Sequence, residues 1–479
     1  MSQLISSVRW VGISQASKIL FQLASMAILA RLLPPSDYGV MAMASVVTTL
    51  AGMLREMGTG TAIIQKQELT PEVMSTVFWL NMAMGTVLGL VLWLTSPLIA
   101  IFFKEPQLVG VLTLMAIIFP ISSSTTVHQA LLERSSKFKV LTIMDLMTQA
   151  AGLGVAIIAA LNGAGVYSFV IPAIVTSLIS SVWLWSHSGW NPRLLWSTHE
   201  FKVLLHFTGN LTAFNFVNYF SRNADSMVIG RMLGSVALGT YSMAYKLMLF
   251  PVQNLTWVVN RVLLPTLSRL QNNKDEAKTL YLKSLNMIVT LTAPMMVGLW
   301  VLREPFVAVA FGPKWTAVVA ILAWLAPVGL IQSAVSTTGT VFTAYGKTNL
   351  MFKLGLLGTV INVTSFLIGA QYGLVELAFF YFVGNFLNAI VCSHFTVKTL
   401  SSSLKELINT IKAPILSASM MGLITYPLTL IMISKGYPSI LTVALISITG
   451  ALIYFLLLIK VFNQSLDNMI KLLWKSKTS

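Results

Sequence analysis

Ile28-Leu29-Ala30-Arg31-Leu32-Leu33-Pro34-Pro35-Ser36-Asp37-Tyr38-Gly39, with Met43-Ala44 close behind, returns two hundred positions later. The second copy reads Val228-Ile229-Gly230-Arg231-Met232-Leu233-Gly234-Ser235-Val236-Ala237-Leu238-Gly239, and Met243-Ala244 follows it. Arg31 stands over Arg231 and Gly39 over Gly239, with no gap. Each copy encodes an apolar helix, a short turn closed by glycine and a second apolar helix. Apolar segments draw on few residue types and resemble one another easily. An ungapped register of arginine and glycine does not follow from composition, so the stretch is read as an internal duplication.

The composition around it sets the class. Of 479 residues, 56% are hydrophobic and only 10% charged, which leaves too little polar surface for a soluble fold of this size. Apolar stretches long enough to cross ~30 Å of hydrocarbon recur from end to end. Fourteen are expected: 12–33, 38–60, 77–102, 108–130, 140–160, 166–187, 203–227, 239–262, 284–303, 317–340, 351–370, 373–396, 411–433 and 438–460. The fold class is therefore an all-α polytopic membrane protein of about 14 transmembrane helices. The copies lie six helices apart, an even number, so they run the same way across the bilayer as parallel repeats. Residues 1–187 form the expected N-terminal six-helix lobe and 188–202 a connection marked by Gly189, Trp190, Pro192 and Trp196. Residues 203–396 form the second six-helix lobe, and 397–479 add two helices and a tail.

Lysine and arginine orient the chain. With both termini inside, twenty cations gather on the inner side, against six (Arg31, Lys104, Arg231, Arg303, Lys314 and Lys435) outside; this bias predicts cytoplasmic termini. Much of the net charge of +16 is thereby a matter of topology. The cations are scattered over short loops and form no groove for nucleic acid. Residues 264–283 read as an interfacial helix between the eighth and ninth segments. The basic tail, Lys471 to Lys477, suits an anionic inner leaflet and its membrane lipids. The first apolar segment lacks a basic leader and a small-residue cleavage site, so it is expected to be retained.

Charge inside membrane helices is costly and faces protein or water. Lys18, Gln22 and Ser25 are spaced by four and three, on one helical face. Asn218, Arg222 and Asp225 repeat that spacing at the two-hundred-residue offset, and Lys246 adds a cation in the eighth segment. These seven residues are the candidate substrate-cavity positions. Two readings stay open for Arg222 and Asp225, mutual pairing and substrate contact; Lys18 either faces the cavity or snorkels to headgroups. A cationic cavity suits an anionic group such as phosphate.

Covalent chemistry has no visible constellation: no HExxH, no glycine-rich phosphate loop ending in Gly-Lys-Ser/Thr and no Gly-x-Ser-x-Gly. The histidines, His128, His187, His199, His206 and His394, have no metal-ligand spacing, and the single Cys392 reads as a packing residue. Neither a cofactor nor an enzymatic activity is expected, which leaves a passive or ion-coupled carrier.

Three groups of residues carry a family likeness. They are the run from Ile28 to Gly39, the inner motif Leu131-Leu132-Glu133-Arg134 with Phe138-Lys139, and Asp225 through Ile229-Gly230 and Leu233-Gly234 to Leu238-Gly239-Thr240-Tyr241 and Ala244. In these the chain resembles the polysaccharide transporter branch of the multidrug, oligosaccharidyl-lipid and polysaccharide exporter superfamily, in particular bacterial flippases of O-antigen, colanic-acid and related exopolysaccharide units. The resemblance implies a multi-pass protein of the bacterial inner membrane. Its substrate would be a polyprenyl-pyrophosphate-linked oligosaccharide for lipopolysaccharide or exopolysaccharide biosynthesis, flipped by alternating access. It also implies polysaccharide polymerase machinery as a partner. The competing readings are an ion-coupled multidrug exporter of the same superfamily and a membrane polymerase or ligase. The polymerase or ligase reading calls for a large outer loop, which this sequence lacks.

Overall fold

Among the described residues helix follows helix, because each apolar stretch must satisfy its backbone hydrogen bonds within itself. The computed structural model describes the backbone of residues 2–56 and 59–460, and the side chains of 9–55, 59–198, Tyr219, 223–256 and 259–460. The elements are α1 (Ser2–Leu32), α2 (Pro35–Glu56), α3 (Thr59–Gln65), α4 (Pro71–Phe103), α5 (Gln107–Ala116), α6 (Ile118–Ser123), α7 (Thr126–Arg134), α8 (Phe138–Leu161) and α9 (Tyr167–Ser188). They continue with α10 (Thr198–Arg269), α11 (Lys274–Ala310), α12 (Ala317–Val335), α13 (Thr338–Ala344), α14 (Thr348–Gly369), α15 (Leu374–Thr399), α16 (Leu404–Ser434) and α17 (Ser439–Lys460). The basic tail from Lys471 to Lys477 lies outside the described residues.

Among the described residues eleven helices are long and apolar enough to cross a bilayer, and thirteen spans result if each of two bent pairs counts as one. One bent pair, Gln107–Ser123 with Thr126–Arg134, turns by 42° where the sequence predicts a single segment at 108–130. The expected seventh segment, 203–227, has a helical backbone, but its side chains up to Arg222 are not described, Tyr219 excepted. Leu94, Leu98 and Ile101 on α4 are two-thirds exposed or more. Their spacing of four and three makes one apolar stripe, as a lipid-facing helix requires.

The duplicated turn breaks both copies at the same place by different means. In the first, Pro35 opens α2 after the non-helical Pro34, and proline is tolerated at the first position of a helix, where no partner for its N–H is needed. In the second, Gly234 interrupts α10 with φ 85° and ψ −177°, a conformation that glycine reaches without steric cost. Across this turn the copies touch reciprocally. A Cβ on Gly39 would collide with the Ser235 carbonyl, and a Cβ on Gly239 with the Pro35 carbonyl. Under the two-hundred-residue offset these are one contact seen from its two ends.

Residues gather into two compact units, the first reaching to Gly239 and the second beginning at Thr240. In the first unit α1 packs on α8, α8 on α9, and α4 on α5 and α6. Arg134 of the Leu-Leu-Glu-Arg motif donates to the carbonyls of Ile63, Lys66 and Gln67, capping the C-terminal end of α3, where carbonyls lack helical partners. The stretch after α9 is pinned to α4: Trp79 Nε1 donates to the Arg193 carbonyl at 2.8 Å, and the Ser197 N–H donates to Thr76 Oγ1 at 2.9 Å. In the second unit α11 packs against α12, α16 and α17 around Tyr281, Leu285, Val289, Ala418 and Tyr454. No separate interfacial helix spans 264–283. The ends of α10 and α11 run on and meet at a short turn, where the Asn273 side chain accepts the Glu276 N–H and caps α11. An N-cap at that position starts the helix inside the expected connection.

Candidate functional site

The polar face of α1 has a matching face on α8. Ser14, Lys18, Gln22 and Ser25 follow helical spacing on α1; Thr142, Asp145 and Thr148 do so on α8. Thr142 Oγ1 donates to the Trp10 carbonyl at 3.1 Å, Ser14 Oγ donates to Asp145 Oδ2 at 2.6 Å, and Lys18 Nζ lies 2.8 Å from the same oxygen. The Lys18 and Asp145 side chains are 48% and 24% exposed, so the pair is half in the open. It removes the one lysine on this face as an uncompensated charge.

Beyond the ion pair the helices part around a cavity of ≈ 660 Å³ between α1, α6, α8 and α9. Lys18, Gln22 and Ser25 line it from α1, Ser122 from α6, Gln149 from α8, and Ser168, Thr176, Ser177 and Ser180 from α9, with Phe21 and Phe169 as apolar walls. Several hydroxyls satisfy themselves locally: Thr176 donates to the Ala173 carbonyl, Ser180 to Thr176 and Ser122 to Ile118. Such back-bonding lets an apolar helix carry hydroxyls at little cost, and their oxygens still accept. Gln149 Nε2, Ser168 Oγ and Ser177 Oγ are buried without a partner among the described residues. Leaving a buried donor unmade costs ~1–3 kcal/mol, so three around one cavity mark a place for a hydrogen-bonding occupant. Arg55, near the end of α2, donates to Ser122 Oγ and brings a guanidinium to the same wall.

Of the other expected site residues, none that is described lines this cavity. The side chains of Asn218 and Arg222 lie outside the described residues, so the expected stripe of the second copy is described only at Asp225. That residue is buried, and its Oδ1 accepts the Ser226 N–H at 2.6 Å. Lys246 belongs to the second unit and is exposed. Among the described residues no three or more histidine, cysteine or acidic side chains come together as a metal site would require.

A family model described as polysaccharide biosynthesis protein matches residues 28–320, beginning on the first residue of the duplicated stretch and running through its second copy. The chain belongs to that family. It is 26% identical over 472 residues to the teichuronic acid biosynthesis protein TuaB of Bacillus subtilis (strain 168), with 98% of each chain covered. Among solved structures it resembles the lipid II flippase MurJ in an inward closed conformation, with TM-score 0.75, 16% identity and coverage of 95% of this chain and 99% of that one. It also resembles a multidrug resistance MATE family transporter of the MOP superfamily in an inward-facing conformation, with TM-score 0.58, 14% identity and coverage of 82% and 98%. The fold is thus one that solved membrane transporters share.

Within this family member, sequence reasoning reached Lys18, Gln22 and Ser25 but not the residues opposite them. Asp145 was visible as a carboxylate in the expected fifth segment, and the spacing Asp145, Thr148, Gln149 and Gly152 was the available signal for an α8 face. Thr176, Ser177 and Ser180 gave a similar signal on α9. Arg55 stood inside an apolar segment as a charge that calls for a partner.

Proposed function

We propose that this chain flips a lipid-linked anionic saccharide unit across the bacterial inner membrane by alternating access, without covalent change. A polyprenyl-pyrophosphate-linked oligosaccharide fits the family, named for polysaccharide biosynthesis, and the fold, shared with a flippase of a lipid-linked molecule. The observation that carries the reading is the cavity of the first unit, lined by hydroxyls and amides inside a helical membrane protein. Three of its buried polar atoms await a partner. A saccharide offers donors and acceptors in every direction and suits that lining. Lys18 is held by Asp145, so the pyrophosphate falls to Arg55 and Arg222, whose forked guanidinium groups match phosphate oxygens. The orientation has both termini cytoplasmic, with fourteen helices and six in each repeat, as the cation bias and the duplication support.

The test is reconstitution. Vesicles carrying the purified protein and a fluorescent polyprenyl-pyrophosphate oligosaccharide should expose that lipid to an external glycosidase faster than protein-free vesicles. Arg55→Ala is expected to reduce the rate at least tenfold while the protein keeps its elution profile. Translocation of amphipathic cations in place of the lipid-linked saccharide would replace this reading with that of a multidrug exporter.

A further inference from the structure

In the second unit one arginine stands at the rim of an apolar groove and is paired with rings, with no carboxylate as partner. The Arg303 guanidinium lies 4.6 Å from the centre of the Trp300 ring on α11 and 5.8 Å from that of Tyr426 on α16. The two rings are 5.2 Å apart and tilted by 43°, forming a platform that joins the two helices under the cation. Arg303 also donates to the Trp300 carbonyl. Among the described residues no ion pair joins it to an acid; its neighbour Glu304 is exposed and unpaired with it.

Next to the platform opens a groove of ≈ 470 Å³ between α11, α12 and α16. Trp300 and Tyr426 border it, Val297 and Leu330 line it beside the buried Ala326, and the exposed Leu423 and Pro427 stand at its open side. Arg303 sits one helical turn beyond Trp300, toward the end of α11, so charge, aromatic ring and apolar groove follow one another along the helix axis. Charge at the top, amphipathic rings beneath it and hydrocarbon below is the polarity order of a bilayer leaflet, with tryptophan and tyrosine at headgroup level.

We infer that this groove binds a membrane phospholipid, with an acyl chain along Val297, Leu330 and Leu423 and the headgroup phosphate on Arg303. An arginine held over rings keeps its outer N–H groups directed away from them, toward a phosphate placed above the platform. The pyrophosphate carrier fits less well, because its larger charge meets one guanidinium and no second cation in the arrangement described. A resident lipid would compensate the charge of Arg303 at the membrane interface and cover the apolar groove that α11, α12 and α16 line.

The experiment is native mass spectrometry of the full-length protein released from micelles supplemented with phosphatidylglycerol, scored as the fraction retaining one lipid. Arg303→Ala and Ser419→Trp should each lower retention at least fivefold. Ser419 lines the groove from its exposed side, so the larger residue occupies the chain's place without entering the core and keeps the test valid if Arg303→Ala folds poorly. Arg303→Lys should retain an intermediate fraction. Equal retention by wild type and Ser419→Trp overturns the site, and equal retention of diacylglycerol and phosphatidylglycerol overturns the role of the phosphate. Preferential retention of a polyprenyl pyrophosphate would assign the groove to the carrier and overturn the phospholipid. None of these readouts depends on transport.

Discussion

The cavity in the first unit and the grooves in the second are of similar size and opposite chemistry. The first is walled by Gln22, Ser25, Gln149, Thr176 and Ser177. In the second unit a groove of ≈ 530 Å³ between α11, α16 and α17 is walled by Leu291, Pro294, Met295, Leu299, Val443 and Phe455. Yet the duplicated turns are alike to the residue at Arg31 and Arg231 and at Gly39 and Gly239. Duplicated sequence has been kept where backbone meets backbone, and the interiors of the two units have taken on different chemistry. The second unit also buries hydroxyls, Thr290 and Thr425 at this groove among them; what calls for an explanation beyond packing is the gathering of amides and hydroxyls around one cavity of the first.

The largest effect is expected where the copies are alike. Gly39→Leu places a side chain against the Ser235 carbonyl, and Gly239→Leu places one against the Pro35 carbonyl; neither obstacle is a side chain that can swing away. Overpacking of this kind costs ~3 kcal/mol or more, and both variants should lose most of their folded yield, measured as the monodisperse fraction in detergent. Normal yield from either variant would show that the shared glycines do not serve close packing.

An intermediate effect is expected at Lys18 and Asp145. Lys18→Met leaves a carboxylate with Ser14 as its remaining named partner, and Asp145→Asn leaves a lysine facing an amide. For a half-exposed pair each loss should cost ~1–2 kcal/mol, between the values for surface and buried pairs. The double variant Lys18→Met/Asp145→Asn should recover part of it, read from the midpoint of thermal unfolding. Additive losses would mean that the 2.8 Å contact contributes no coupling energy.

These residues also show what could be read from the chain alone. Helical membrane class was legible because it rests on a local pattern, apolar length, and the two matching turns because their register is ungapped. Lys18, Gln22 and Ser25 were legible as one face because spacing by four and three is likewise local. Their partners were not: Asp145 is more than a hundred residues from Lys18 and is joined to it only by the packing of α1 on α8. The hydroxyls of α9 were hidden for a different reason. Thr176 and Ser180 bond to carbonyls of their own helix, so they fit an apolar span without announcing a cavity. The bend between α6 and α7, where the chain turns by 42°, lies in the hydroxyl run from Ser122 to Thr126; Ser124 and Thr125 bond back to the carbonyls of Ile121 and Ser122, so the run fits a continuous span as readily as a break.

The smallest effect on folding, and the sharpest on the comparison, belongs to Gln149. Its Nε2 is buried and has no partner among the described residues, so the native state already bears the cost of that donor. Gln149→Leu keeps a similar volume and removes the unmet group, and replacing such a group by an apolar one is near neutral or stabilising. The unfolding midpoint should therefore stay level or rise. Transport should move the other way, because a hydrogen bond formed only with the saccharide would be lost; about 1 kcal/mol, the usual net worth of one such bond, corresponds to roughly a fivefold fall in rate at low substrate. Ser447→Leu is the matched change in the second unit: an exposed serine on the apolar groove, with no expected loss of saccharide transport. A fall in stability together with transport would make Gln149 a packing residue. Equal transport losses from Gln149→Leu and Ser447→Leu would remove the distinction between the two interiors. A stable Gln149→Leu that transports poorly, beside an unaffected Ser447→Leu, would place recognition of the sugar among the hydroxyls and amides of the first unit.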